Sequence, residues 1–163
     1  MTLYHGSPTG NLTQLKPFLS EHGKEYVYFS SNPLVALLYA VKPVPKPFSF
    51  YPYGFDRNGI VVYSEYFENA FEIFYKGKAG YLYECDNIPK AEQPTQISCA
   101  FTCDFTVKPD RVRRVDDLYE YFKEKEREGL FKIRPCKDIS EKEMQFVFDD
   151  LMKSMKKTNP IIL

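Results

Sequence analysis

The stretch "YVYFSSNPLVALLYA", residues 26–40, reads as a strand that runs directly into a helix. "YVYFSS" is aromatic and β-rich, as strands are. Asn32 then suits the N-cap, and Pro33 suits the first helical position, where its missing N–H is no loss. Val35, Leu38 and Tyr39 follow at i, i+3 and i+4, so the helix is expected to bury the face that carries them. Ten residues separate Tyr28 on the strand from Tyr39 on the helix. A strand–turn–helix can fold two such rings against each other, and the slot between them takes one flat ring. A cationic ring, such as a pyridinium, is also attracted by the tyrosine faces.

Upstream, "LYHGS" at residues 3–7 reads as a short first strand stopped by Gly6, Ser7 and Pro8. It holds His5, one of two histidines in the chain; the other, His22, lies in a polar loop. Two readings of His5 stand: a histidine packed into a core or left on the surface, or a ring at a strand end that points into a cleft. Gly6 has no Cβ, so a ligand can approach its backbone closely. Its N–H and C=O can then pair with a flat amide.

The rest of the chain reads as alternating short elements. "NLTQLKPFLSEHGKE" is a loop or an extended piece. Residues 41–58 carry Pro43, Pro45, Pro47 and Pro52 among aromatics, which rules out a regular helix or a central strand. A long ordered loop is expected there, either packed back on the body or serving as a lid or partner-binding flap. "GIVVYS" and "GYLYECD" read as strands, with the helix "EYFENAFEIFYKGK" between them, closed by Gly77. "QISCAFTCDFTV" gives one or two more strands. "VDDLYEYFKEKEREG" is a helix capped by Asp116, with Leu118, Tyr119 and Phe122 inward and Gly129 at its end. The last helix, 140–157, opens on a capping box of Ser140 and Glu143. Its stripe of Met144, Val147, Phe148, Leu151 and Met155 is expected in the core. Neither an internal repeat nor a composition break appears, so the expectation is one α+β domain over residues 1–163.

Composition narrows the function. Hydrophobic residues make up 44% of the chain, enough for a packed core. Lys plus Arg equals Asp plus Glu, 22 each, which excludes a strongly basic nucleic-acid footprint. A local patch stays open: Arg111, Arg113 and Arg114 can meet phosphates, or lie exposed on the approach to a helix. The four cysteines form no CxxC pair, so reduced structural thiols are expected, with no metal site and a cytoplasmic setting. No secretory leader is expected from "MTLYHGSPTG". The longest apolar run, "PLVALLYAV", falls well short of the roughly 20 residues that cross a bilayer, so no membrane partner is expected. The 14 Phe and 13 Tyr suit either a ligand cleft or a tightly packed core.

Together, "LYHGS" and "VYFSSNPLVALLYA" resemble the ADP-ribosyltransferase superfamily, in the branch with a His–Tyr–acidic pattern that includes diphtheria toxin, the poly(ADP-ribose) polymerases and the small rifampicin-modifying transferases. The resemblance covers about the first 40 residues. It implies a fold of split mixed and antiparallel sheets with flanking helices, and NAD as co-substrate. It implies that His5 hydrogen-bonds the adenosine-side ribose and that the Gly6 backbone fixes the nicotinamide carboxamide. Tyr28 and Tyr39 would stack on the nicotinamide, with Ser30 as the small hydroxyl that supports the site. The catalytic set it implies is His5, Tyr28 and an acid on a later strand. Glu92 is the first choice for that acid, Gln96 the second and Glu84 the third. The function implied is transfer of ADP-ribose from NAD to an acceptor that is protein, nucleic acid or a small molecule. Two alternatives remain open: a non-catalytic module that binds NAD, ADP-ribose or a protein, and an enzyme like the RNA 2′-phosphotransferases, which hold a phosphate with several arginines.

Overall fold

The structure is a computed structural model that describes residues 1–19, 23–41, 52–93 and 96–158, with backbone alone at 151 and 154–158. His22, the Pro-rich residues 42–51 and the tail "NPIIL" lie outside the described residues. The chain is α+β, with mixed and antiparallel sheets and four described helices. It divides into two compact units that interleave along the sequence. One comprises Met1–Val41 and Gly77–Leu118, the other Lys42–Lys76 and Tyr119–Leu163.

The first unit is built on β1 (Thr2–Ser7), β2 (Phe18–Leu19), β3 (Glu25–Ser30) and helix α1 (Pro33–Leu38). Asn32 caps α1 as its chemistry predicts, its Oδ1 accepting from the N–H groups of Leu34 and Val35 at 2.9 and 3.2 Å. Leu34 to Leu38 are all buried, but Tyr39 is 43% exposed. The expectation that Tyr39 shares the buried face is therefore corrected. The helix ends at Leu38, and Tyr39 serves as its C-cap with an N–H bonded to the Ala36 carbonyl.

Beyond the second unit's β4 (Tyr53–Phe55), β5 (Val61–Ser64) and α2 (Ala70–Tyr75), the first unit resumes with β6 (Gly80–Asp86), β7 (Ala100–Cys103) and β8 (Arg111–Val115). Its sheet runs β2-β3-β1-β6-β8, with β7 also paired to β3, all antiparallel. Side chains alternate between faces along each strand. One face gathers Leu3, Val27, Phe29, Tyr83, Cys85 and Cys103 into a core. Burial pushes the Cys85 thiol up to about 12, so it is inert as a nucleophile. All four cysteines are free thiols.

The second unit adds α3 (Leu118–Arg127), β9 (Phe131–Arg134) and α4 (Glu141–Thr158) to its sheet β4-β5-β9. Its core is a ring cluster. Phe71 stacks on Tyr75 at 4.5 Å, meets Tyr63 edge-on at 4.8 Å, and packs with Phe122, which in turn touches Phe131 at 4.6 Å. Leu118 and Phe122 are buried as the sequence predicts.

Three expectations need correction here, and one is refined. Residues 41–58 are not a loop throughout, because Tyr53–Phe55 pairs with β5 as an antiparallel strand. "RVRR" does lie exposed on the approach to α3, but it does so as an edge strand, β8, whose first four residues are exposed. Asp116 meets Arg114 at 2.9 Å rather than being held for a cap. The α4 stripe is not core where its side chains are described: Met144 and Val147 are half-buried, and Phe148 is 46% exposed. The capping residue itself is right, since Ser140 Oγ accepts the Glu143 N–H at 3.2 Å.

Candidate functional site

Hydrogen bonding along β1 alternates between its two neighbours. Met1 pairs with Asn87 through its carbonyl, and β1 runs in register with β6 from Thr2↔Asp86 to Ser7↔Tyr81. Residues 3, 5 and 7 therefore turn their peptide groups toward β6, and residues 4 and 6 turn theirs toward β3. On that side, Tyr4↔Ser30 is paired. The next in-register pair, Gly6 opposite Tyr28, forms no bridge among the described residues. The two strands part at this point.

His5 spans the gap. Its ring lies on the core face, 6.1 Å from Phe29 and 6.4 Å from Tyr83 between centroids. Its Nδ1 lies 2.8 Å from the Tyr28 carbonyl oxygen. A carbonyl only accepts, so Nδ1 carries the proton and Nε2 of the neutral ring keeps a lone pair. Burial lowers the His5 pKa from its ordinary 6.5, and the Tyr28 carbonyl opposes that with a smaller upward effect. The site thus holds a neutral imidazole with one acceptor nitrogen.

The sign of the linkage follows. The folded state resists protonation at His5, so its contribution to stability is complete above pH 6.5 and is lost as pH falls through the lower folded pKa. Urea midpoints at pH 7, 6 and 5 are expected to fall in wild type and to fall less in His5→Gln. Equal slopes would show that His5 titrates freely.

Beyond the gap, the sheet continues in register. Tyr28 pairs with Thr102 on β7, and Thr102 pairs with Glu92 through two backbone hydrogen bonds of 2.8 and 2.9 Å. Directly opposed residues share a face. Gly6, Tyr28, Thr102 and Glu92 therefore form one cross-strand row on the face opposite the core. Thr102 is buried, whereas Glu92 is exposed, and its carboxylate has no partner among the described residues. The C-terminal turn of α1 lies over Gly6, with the Ala36 carbonyl oxygen 1.8 Å and the Ala40 nitrogen 3.3 Å from where a Cβ would sit. That turn brings Tyr39 to the Gly6 end of the row. The Tyr28 ring meets Phe18 at 5.6 Å and Tyr26 at 6.2 Å.

Gly6, Tyr28 and Glu92 thus share one face of the first unit's sheet, whereas the His5 ring lies on the other, core face beside Phe29 and Tyr83. Ser30 lies one pair away on the same face, 4% exposed, and its hydroxyl is occupied in accepting the Asn32 N–H at 3.0 Å. Glu84, the third choice of acid, is held by Arg111 at 2.8 Å. Gln96 sits exposed in a bend. Arg111 is clamped between Glu84 and Asp86, and Arg114 meets Asp116, which engages two of the three "RVRR" guanidiniums with carboxylates. One residue of the row escapes the sequence reading: Thr102, hidden because register is not written in composition. A cavity of about 250 Å³ at the Asp86–Pro89 turn shares no residue with the row.

Among the described residues, no group of three His, Cys, Asp or Glu side chains is arranged to hold a metal ion, and no helix is long and apolar enough to cross a membrane. No family model matches the chain, and neither a curated protein nor a solved structure does.

Proposed function

We propose that this chain is an NAD-dependent ADP-ribosyltransferase, a transferase of the glycosyl type. The observation that carries the reading is the row of Gly6, Tyr28, Thr102 and Glu92 across a sheet that opens between Gly6 and Tyr28. No bridge joins Gly6 to Tyr28, and the Gly6 peptide edge on that side is the group proposed to pair with a carboxamide. Tyr28 and Tyr39 supply ring faces for the cationic nicotinamide. His5 Nε2 accepts from a ribose hydroxyl while Nδ1–H stays on Tyr28.

Loss of nicotinamide leaves positive charge at the ribose anomeric carbon. Glu92, at the end of the row, has a carboxylate without a partner among the described residues, so it stabilises that charge and accepts the acceptor's proton. A protein, a nucleic acid or a small molecule could serve as acceptor on this chemistry. The test is calorimetric titration with NAD on wild type and Tyr28→Ala, with released nicotinamide assayed alongside. Binding is expected in wild type and at least about tenfold weaker in the variant, the loss of one ring face. No binding at millimolar NAD would sink the proposal.

One observation favours a second reading. Glu92 is exposed and nothing described orients its carboxylate, whereas catalytic groups are ordinarily held in place. A module that binds NAD or ADP-ribose without turnover has the same row and needs no such orientation. Binding without nicotinamide release would select it. The phosphotransferase-like alternative gains little, because Arg111 and Arg114 are already paired with carboxylates.

A further inference from the structure

The aromatic surface of the row does not stop at Tyr28. Phe18 on β2 pairs in register with Tyr26 on β3, so Phe18, Tyr26 and Tyr28 share one face. Their rings form a continuous patch, with Phe18–Tyr28 centroids 5.6 Å apart and Tyr26–Tyr28 centroids 6.2 Å apart. Phe18 is 51% exposed although it is a two-residue strand's main apolar group, so burial does not account for it. Lys16 and Lys24 flank the strand pair, both exposed, against one acid, Glu25, among described residues 15–19 and 23–30. Exposed rings beside cations are the surface on which bases stack while their phosphates are held.

We propose that Phe18, Tyr26 and the outer side of Tyr28 form a stacking platform for a nucleobase, which is the acceptor of the transfer. The inference rests on the NAD reading above only for the transfer step; the platform itself stands on ring geometry and charge. In that step, a ring N–H or exocyclic amine of the base attacks the anomeric carbon of the nicotinamide ribose and forms a new C–N bond. The bond to nicotinamide breaks, and its electron pair neutralises the pyridinium nitrogen. Glu92 takes the proton from the base and passes it to water.

The base can come from a mononucleotide or from a single strand, and the experiment separates the two. A fluorescein-labelled oligo(dT) of twelve nucleotides and the four nucleoside monophosphates are titrated into the full chain at low salt, with and without saturating NAD. Oligonucleotide binding that persists with NAD present is expected. Phe18→Ala and Phe18→Leu should each weaken it about tenfold, the loss of one stacked ring. NAD affinity and the circular dichroism spectrum should be unchanged in both variants. Lys16→Gln and Lys24→Gln should each reduce the salt dependence by about one phosphate contact. Binding of monophosphates alone would identify a mononucleotide as the source.

Three results would overturn the platform: no binding of any of these probes, affinity within twofold in both Phe18 variants, or loss of binding when NAD is present. The last would make the patch part of the NAD site. Base binding without NAD binding would instead remove the transferase reading and leave the platform standing.

Discussion

Gly6→Ala is expected to melt about 10 °C below wild type, and its loss of stability to exceed that of Gly54→Ala in β4. A Cβ at residue 6 would sit 1.8 Å from the Ala36 carbonyl oxygen and 2.7 Å from its carbon. Both atoms belong to backbone inside α1, so no side chain can rotate away. The helix must lift off the sheet, and overpacking of this kind costs about 3 kcal/mol or more. For a chain of this size, that is roughly 2–4 °C of melting temperature per kcal/mol. Gly54→Ala on β4 is the control: nothing lies within 4 Å of its Cβ position, so it is expected to be neutral or slightly stabilising. Thermal melts of the two variants decide the matter, and a Gly6→Ala melt within about 2 °C of wild type would show that α1 does not rest on Gly6.

This changes what the glycine means. In the sequence, Gly6 suggests a backbone left open to a ligand. In the structure, the missing Cβ makes room for the turn of α1, and the peptide edge that points to β3 is what the proposed NAD site would use. The two roles are separable, because one concerns the Cβ direction and the other lies in the plane of the sheet. If Gly6→Ala folds at low temperature, its NAD affinity reports on the second role alone.

Local signals account for what the sequence made legible. Asn32 and Pro33 set the start of α1, and the alternation in "GYLYECD" marks β6. The Ser140 and Glu143 pair marks α4. Each depends on residues within a turn or two of one another. The elements that escaped depend on distant partners. "FKIR", beyond the helix end at Gly129, is too short to read alone; it is β9 because Val61–Ser64 offers a parallel partner far away in sequence. "RVRR" has no alternation because both its faces are largely exposed, and only its pairing with Tyr81–Glu84 makes it a strand. The α4 stripe has the period of a buried helix, but period alone does not say what covers it. The same limit applies to the candidate site. His5, Gly6, Tyr28 and Tyr39 come from two local motifs, whereas the link from Tyr28 through Thr102 to Glu92 is a matter of register.

Glu92→Gln decides whether that register has a chemical purpose. The substitution keeps side-chain size and leaves the two backbone hydrogen bonds to Thr102 in place, so the fold is expected to be unchanged. What disappears is the negative charge opposite the developing cation. Removing one such electrostatic group from a transition state costs about 10²–10³ in turnover. The ground-state nicotinamide ribose carries little charge at that carbon, so NAD affinity should stay within about twofold, because the lost interaction exists only in the transition state. Nicotinamide release at saturating NAD is the readout. Glu84→Gln serves as the comparison: its carboxylate is spent on Arg111 at the surface, and its turnover is expected to match wild type. If Glu84→Gln falls instead and Glu92→Gln does not, the acid has been assigned to the wrong strand. Should neither variant change a measurable wild-type rate, the cation is not stabilised by any acid proposed for this row, and the mechanism fails while NAD binding stands. A wild type that binds NAD and releases nothing would make Glu92 a solvated loop carboxylate and the row a binding surface.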